Sequence, residues 1–103
     1  MSNAELEELV VQVFKTIYDP EIPVDIYELG LIYEVNIQVD YHVDIQMTLT
    51  SPNCPVAETL PREVEEKVAS LDAVKSCSVH IVFDPPWDKD MMSEEAKLEL
   101  GFL

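Results

Sequence analysis

The sequence predicts an α+β fold: a two-layer sandwich in the order helix, strand, strand, helix, strand with a short C-terminal helix, built on a small mixed sheet. Three observations predict it. Apolar residues recur every three or four positions from Leu6 to Ile17 and again from Val56 to Leu71, and they alternate with polar ones from Tyr33 to Leu49 and from Cys77 to Phe83. At 103 residues, 48% of them hydrophobic, the chain is long enough for one core and too short for two, so residues 1–103 are read as a single domain.

In the first helix Leu6, Leu9, Val10, Val13, Phe14 and Ile17 form one stripe, with Glu5, Glu7, Glu8, Gln12 and Lys15 between them. Ser2 or Asn3 supplies the N-cap. Asp19-Pro20 is expected to end the helix, because the residue before proline is driven out of the helical region. The segment to Gly30 then reads as an ordered loop with apolar anchors, and Gly30 as a position of special backbone angle. Tyr33, Val35, Ile37 and Val39 face inward on one strand, and Tyr41, Val43, Ile45, Met47 and Leu49 on the next, giving an antiparallel hairpin with one wet face. Its turn around Asp40 has no glycine, which leaves the turn type and register open. Val56, Leu60, Val64, Val68 and Leu71 mark a second helix interrupted by Pro61, read as a turn from Pro55 followed by a regular helix from Pro61 to about Leu71. Cys77, Val79, Ile81 and Phe83 are the inward side of a third strand, which Asp84-Pro85-Pro86-Trp87 stops. Ser93, the acidic pair Glu94 and Glu95, and Gly101 delimit the closing helix.

A helix that joins two strands of one sheet is a crossover, so the second and third strands are expected to be parallel. The segments Asp19 to Gly30, Ser51 to Pro55 and Asp84 to Trp87 must then meet at one end of the sheet. A site is expected there, with Cys54 at its centre and Asp25, Glu21, Thr48, Thr50, Asn53 and Trp87 as supporting residues. Cys54 lies where a strand gives way to a helix, and the unpaired N–H groups of a helix start favour a thiolate over a thiol. Asp25 is preferred over Asp19 and Glu21 as the carboxylate facing the thiol, since Val24 and Ile26 anchor its surroundings. Trp87 reads most simply as a lid on the sheet end. Cys77 shares the inward parity of Val79 and reads as core. His42 and His80 fall outside the cluster, and no His-x-x-x-His or Cys-x-x-Cys spacing supports a closed zinc site.

Composition narrows the function. With 21 acidic and 6 basic residues and a net charge of −15, the chain repels phosphate backbones, and no apolar run approaches a membrane span, so neither nucleic acid nor membrane is an expected partner. Two cysteines of unequal context are read as reduced thiols in a cytoplasmic protein. An iron-sulfur cluster usually takes four thiolates and one exposed thiol is read here, so a monomer is not expected to hold such a cluster by itself. In a homodimer each chain would contribute Cys54 as a metal ligand for a cluster or iron, the remaining ligands would come from outside, and binding would be transient.

Several separated motifs carry a family resemblance. They are Asp19-Pro20-Glu21-Ile22, Val24-Asp25-Ile26-Tyr27 with Leu29-Gly30-Leu31-Ile32-Tyr33, Met47-Thr48-Leu49-Thr50 leading into Cys54-Pro55, and Asp84-Pro85-Pro86-Trp87 with Met92-Ser93 and Leu100-Gly101 behind. In this set and order the chain resembles the small iron-sulfur assembly proteins related to SufT, to PaaD, and to the eukaryotic cytosolic iron-sulfur targeting subunit. The resemblance implies a compact α/β domain that acts in maturation of iron-sulfur proteins, and the leading expectation is a non-enzymatic factor. It also implies Cys54 as the reactive centre, Asp25 close by, and assembly or client proteins as partners. A thiol-based redox or transfer enzyme and a metal-free interaction adaptor are the alternatives.

Overall fold

The computed structural model describes residues 2–19, 22–50 and 54–101, and of residues 54–58 the backbone alone. Helix α1 spans Asn3–Phe14, and the Ser2 hydroxyl caps it by accepting from the Glu5 N–H at 3.2 Å. Leu6, Val10, Phe14 and Ile17 are buried as the stripe requires, whereas Leu9 lies at its exposed margin. The helix stops five residues before Asp19. Thr16 and Ile17 donate to the carbonyls of Val13 and Phe14 in tight three-residue turns, and the Thr16 hydroxyl bonds Val13 O at 2.7 Å. Ile17 to Asp19 then pair with Val24 to Ile26, through Ile26 N–H to Ile17 O at 2.9 Å and the bridge between Tyr18 and Asp25. Sheet-like pairing of β-branched and aromatic residues has overridden the helical spacing there.

Strands β1 (Ile32–Ile37) and β2 (His42–Met47) are antiparallel, and β3 (Ser76–Ile81) lies parallel to β2, giving the sheet order β1-β2-β3. The mixed sheet and the parallel pair agree with the sequence reading. Three residues expected on the inward faces do not lie there. Val39 is fully exposed in the hairpin turn, Tyr41 is also exposed, and Phe83 lies past the end of β3 and is exposed. Tyr41 takes the left-handed backbone at φ 64°, doing in this glycine-free turn what glycine ordinarily does. Its N–H bonds Gln38 O and its carbonyl accepts from Lys75 N–H, so the turn is tied to the start of β3. Tyr33 sits in a register irregularity between Ile32 and Glu34, which frees its hydroxyl to reach Pro85 O at 2.8 Å.

Helix α2 runs unbroken over Cys54–Ala69 with Pro61 inside it, not from Pro61 onward as expected. Proline forfeits one backbone bond, at a cost of about 3 kcal/mol. The buried stripe of Leu60, Val64 and Val68 continues through it, and burial of three such side chains at roughly 1.5–3 kcal/mol each outweighs that cost. Both helices contribute to a core with Val43, Ile45 and Met47 of β2, while Glu34, Asn36, Asp44, Gln46 and His80 line the opposite, solvent-facing side of the sheet. After a short 3-10 turn at Lys89–Met91, helix α3 (Glu94–Leu100) is capped by Ser93 and closed by Gly101 at φ 81°. It buries Ala96. No helix among the described residues is long and apolar enough to cross a membrane.

Candidate functional site

Two of the three segments expected to converge do so through specific bonds. Trp87 Nε1 donates to Leu29 O at 2.7 Å, and Ser93 N–H donates to Glu28 O at 2.8 Å. Gly30, at φ 80°, completes the junction: a Cβ on it would lie 2.3 Å from Met91 O, so this position needs glycine both for its angle and for close backbone approach. Trp87 is half-buried, packs against the core and braces the loop before β1.

The third segment is described from both sides. Before it, Thr48 N–H extends the sheet by bonding Leu31 O at 2.8 Å, and the Thr50 hydroxyl donates to Asp19 Oδ2 at 3.4 Å. At its far end, Cys54 is the first residue of the 16-residue helix α2. Glu21 and Asn53 lie outside the described residues, as does the side chain of Cys54.

The two aspartates of the loop after α1 differ in a way the sequence did not rank. Asp25 is half-buried, and its Oδ2 accepts from the N–H groups of Tyr27 and Glu28 at 3.1 and 3.0 Å, capping the turn toward Gly30. Asp19 is only 4% exposed; its Oδ1 accepts from Ile22 N–H at 3.1 Å while Oδ2 takes the Thr50 hydroxyl. Asp19 is therefore the carboxylate that ties the loop after α1 to the strand leading into Cys54. The signal was present in Asp-Pro followed by an apolar residue at the third position, a turn in which aspartate bonds its own downstream backbone.

Thr48 is fully buried, and its Oγ1 has no hydrogen-bond partner among the described residues. A lone buried hydroxyl costs about 1–3 kcal/mol in mutational terms. It stands on the same stretch as Thr50, two residues nearer β2.

Cys77 is a contrast. It is a free thiol, 8% exposed, in register with Val43 near the start of β2 and so about a strand's length from Thr48. Burial, then the charges of Glu65 and Asp44, push its pKa from 9.0 up to about 12. That thiol stays protonated and packs, as its strand parity indicated. His42 and His80 are on the solvent-facing side of the sheet, off this cluster. Among the described residues, no three histidine, cysteine or acidic side chains are gathered to hold a metal ion.

The model of the family described as "iron-sulfur cluster assembly protein" matches residues 7–81. A protein of Porphyromonas gingivalis named "Fe-S protein maturation auxiliary factor" is 52% identical over 96% of this chain and 94% of its own length. The Staphylococcus aureus protein named "Fe-S protein maturation auxiliary factor SufT" is 41% identical over 82% of this chain and 97% of its own. A crystal structure of a domain of unknown function from Bacillus anthracis superposes with a TM-score of 0.88 at 34% identity, covering 97% of this chain and 95% of that one.

Proposed function

Since this chain belongs to the family of iron-sulfur cluster assembly proteins, we propose that it is a non-enzymatic maturation factor that handles an iron-sulfur cluster or iron as cargo through Cys54. The observation that carries the reading is the position of Cys54 at the first residue of a 16-residue helix, reached through a strand end that Asp19 and Thr50 hold in place. A helix start offers unpaired backbone N–H groups and the positive end of the macrodipole, which stabilise a thiolate, the form that binds metal and attacks electrophiles. In a chain of net charge −15, the helix start is a local source of positive potential.

Ligand arithmetic sets the mode. A cluster ordinarily takes four thiolates, and Cys77 is withdrawn from ligation by burial. One Cys54 per chain suits a cargo that is passed on, with the remaining ligands coming from a partner protein or a second copy of the chain. Partners are therefore iron-sulfur assembly proteins and their clients, in a reducing, cytoplasmic setting. Thr48, Thr50, Asp19 and Asp25 position the segment around the thiol, Glu21 and Asn53 belong to the same stretches of sequence, and Trp87 locks the loop behind them.

Anaerobic co-purification tests this. Wild-type protein is expected to retain assembly or client proteins that the equally folded Cys54→Ala variant loses. Retention of the same proteins by Cys54→Ala would remove the thiol from the function.

A further inference from the structure

The two edges of the sheet are built differently. β1 is guarded: its ladder is irregular between Ile32 and Glu34, Glu34 places a carboxylate in the strand, and the Tyr33 hydroxyl ties it to Pro85 O. β3 has none of these devices. It runs in unbroken parallel register with β2 from Ser76 to Ile81, and its six residues include no proline, lysine or carboxylate. Bulges, prolines and charges are the usual means of keeping an exposed edge from pairing with another chain.

The outer side of β3 is also open. Among the described residues, no backbone hydrogen bond reaches Ser76 to Ile81 from outside the β2 ladder. The segment that follows leaves in the other direction, since Pro85 is held by Tyr33 of β1 and Trp87 by Leu29 just before it. Val79 and Ile81 are only half-buried, although their register partners Ile45 and Met47 are fully buried, and Phe83 beyond them is exposed. Backbone groups alternate in direction along a strand. Val82 N–H donates to Met47 O, so the backbone groups of Cys77, Val79 and Ile81 turn to the open side.

We propose that the open edge of β3 binds an extended, basic segment of a partner protein by strand addition, with apolar side chains of that segment packing beside Val79, Ile81 and Phe83. Charge selects this occupant over a second copy of the chain. The carboxylates of Glu65 and Asp44 act on Cys77 within the strand, and exposed Asp84 follows it, with Lys75 as the neighbouring cation. Two copies meeting along β3 would bring these like fields together, each from a chain of net charge −15. Lysine or arginine in an added strand is attracted by the same field. The site does not depend on Cys54, yet β3 finishes at the end of the sheet where α2 begins, so residues flanking the bound segment are carried toward that end.

The test is a titration of the wild-type chain, followed by NMR and calorimetry, with the synthetic peptide Lys-Val-Thr-Val-Arg-Val-Lys. Saturable binding is expected with a Kd below about 1 mM, together with shifts at the amides of Cys77, Val79 and Ile81. Of two versions N-methylated at odd or at even positions, one should bind at least about tenfold more weakly and the other as before, because only one set of amides faces the strand. Glutamate in place of the basic residues should weaken binding by about tenfold or more, and so should Ser78→Lys on the protein. Cys54→Ala should bind the peptide unchanged, which keeps this result separate from any result on the thiol. Absence of saturable binding, equal binding by both methylated peptides, or shifts along β1 instead would overturn the proposal. Dimerisation of the chain that perturbs the same amides without peptide would overturn it in favour of a second copy.

Discussion

Cys77 is the second residue of β3 and Cys54 the first of α2, and the two positions lie toward opposite ends of the same sheet. At the Cys77 end the thiol packs beside Val43, and desolvation with two nearby carboxylates holds it protonated. At the Cys54 end the chain passes from a strand into a helix start, with Asp19 and Thr50 bonded just ahead of it. Burial and nearby carboxylates suppress the Cys77 thiolate, whereas a helix start is a position whose unpaired backbone donors favour one, which is the ground on which Cys54 is proposed as the working thiol.

The sharpest way to break this comparison is selective alkylation. Iodoacetamide should modify Cys54 in the folded protein, while Cys77 should react only through unfolding, slower by on the order of 10³-fold or more for a domain of ordinary stability. Peptide mass spectrometry over time reads both sites at once, and equal rates would abolish the distinction.

A smaller effect separates the two aspartates. Asp19→Ala strips the buried partner from Ile22 N–H and the Thr50 hydroxyl and should cost about 1–3 kcal/mol in urea unfolding. Asp25→Ala removes a turn cap and should cost about 1 kcal/mol. The reverse order would show that Asp25, not Asp19, secures the approach to Cys54.

Cys77 also makes stability depend on pH in a known direction. Its folded pKa is raised from 9.0 to about 12, so the protonated thiol stabilises the folded state fully below about pH 9, and that contribution is lost as pH rises toward 12. Across this window the stability of wild type relative to Cys77→Ala should fall by at most about 1.4 kcal/mol per pH unit. Paired urea titrations at successive pH values check it, and a flat difference would mean that the thiol is not desolvated. The smallest effect belongs to the brace behind the site: Trp87→Phe loses only the Nε1 bond to Leu29 O and should cost about 1 kcal/mol, read as a shift in the urea midpoint.

Much of this architecture was legible in the sequence because it rests on periodicity. The α1 stripe, the alternation of β2, the parallel crossover and the Ser93 and Gly101 caps of α3 each follow from spacing or from a residue with one strong conformational role. The parts that were not legible depend on competition between distant groups. Nothing local says that Ile17 to Asp19 will leave the helix to pair with Val24 to Ile26, because the pairing energy lies seven residues away. Pro61 looked like a boundary, and only the buried stripe running through it shows why the helix absorbs it. The hairpin turn put a tyrosine where glycine is usual, held by a bond from Lys75. At the candidate site the meeting of the loops was legible from topology and the local turn at Asp19 from its Asp-Pro signal, whereas the burial of Asp19 and its bond to Thr50 were not, since they depend on a residue 31 positions away.

Anaerobic reconstitution with iron and sulfide tests the central claim most directly, using wild type, Cys54→Ala and Cys77→Ala followed by absorption spectroscopy and metal analysis. The account predicts sulfide-to-iron absorption and bound iron in wild type and in Cys77→Ala, and neither in Cys54→Ala. Loading of Cys54→Ala to the wild-type level would contradict it.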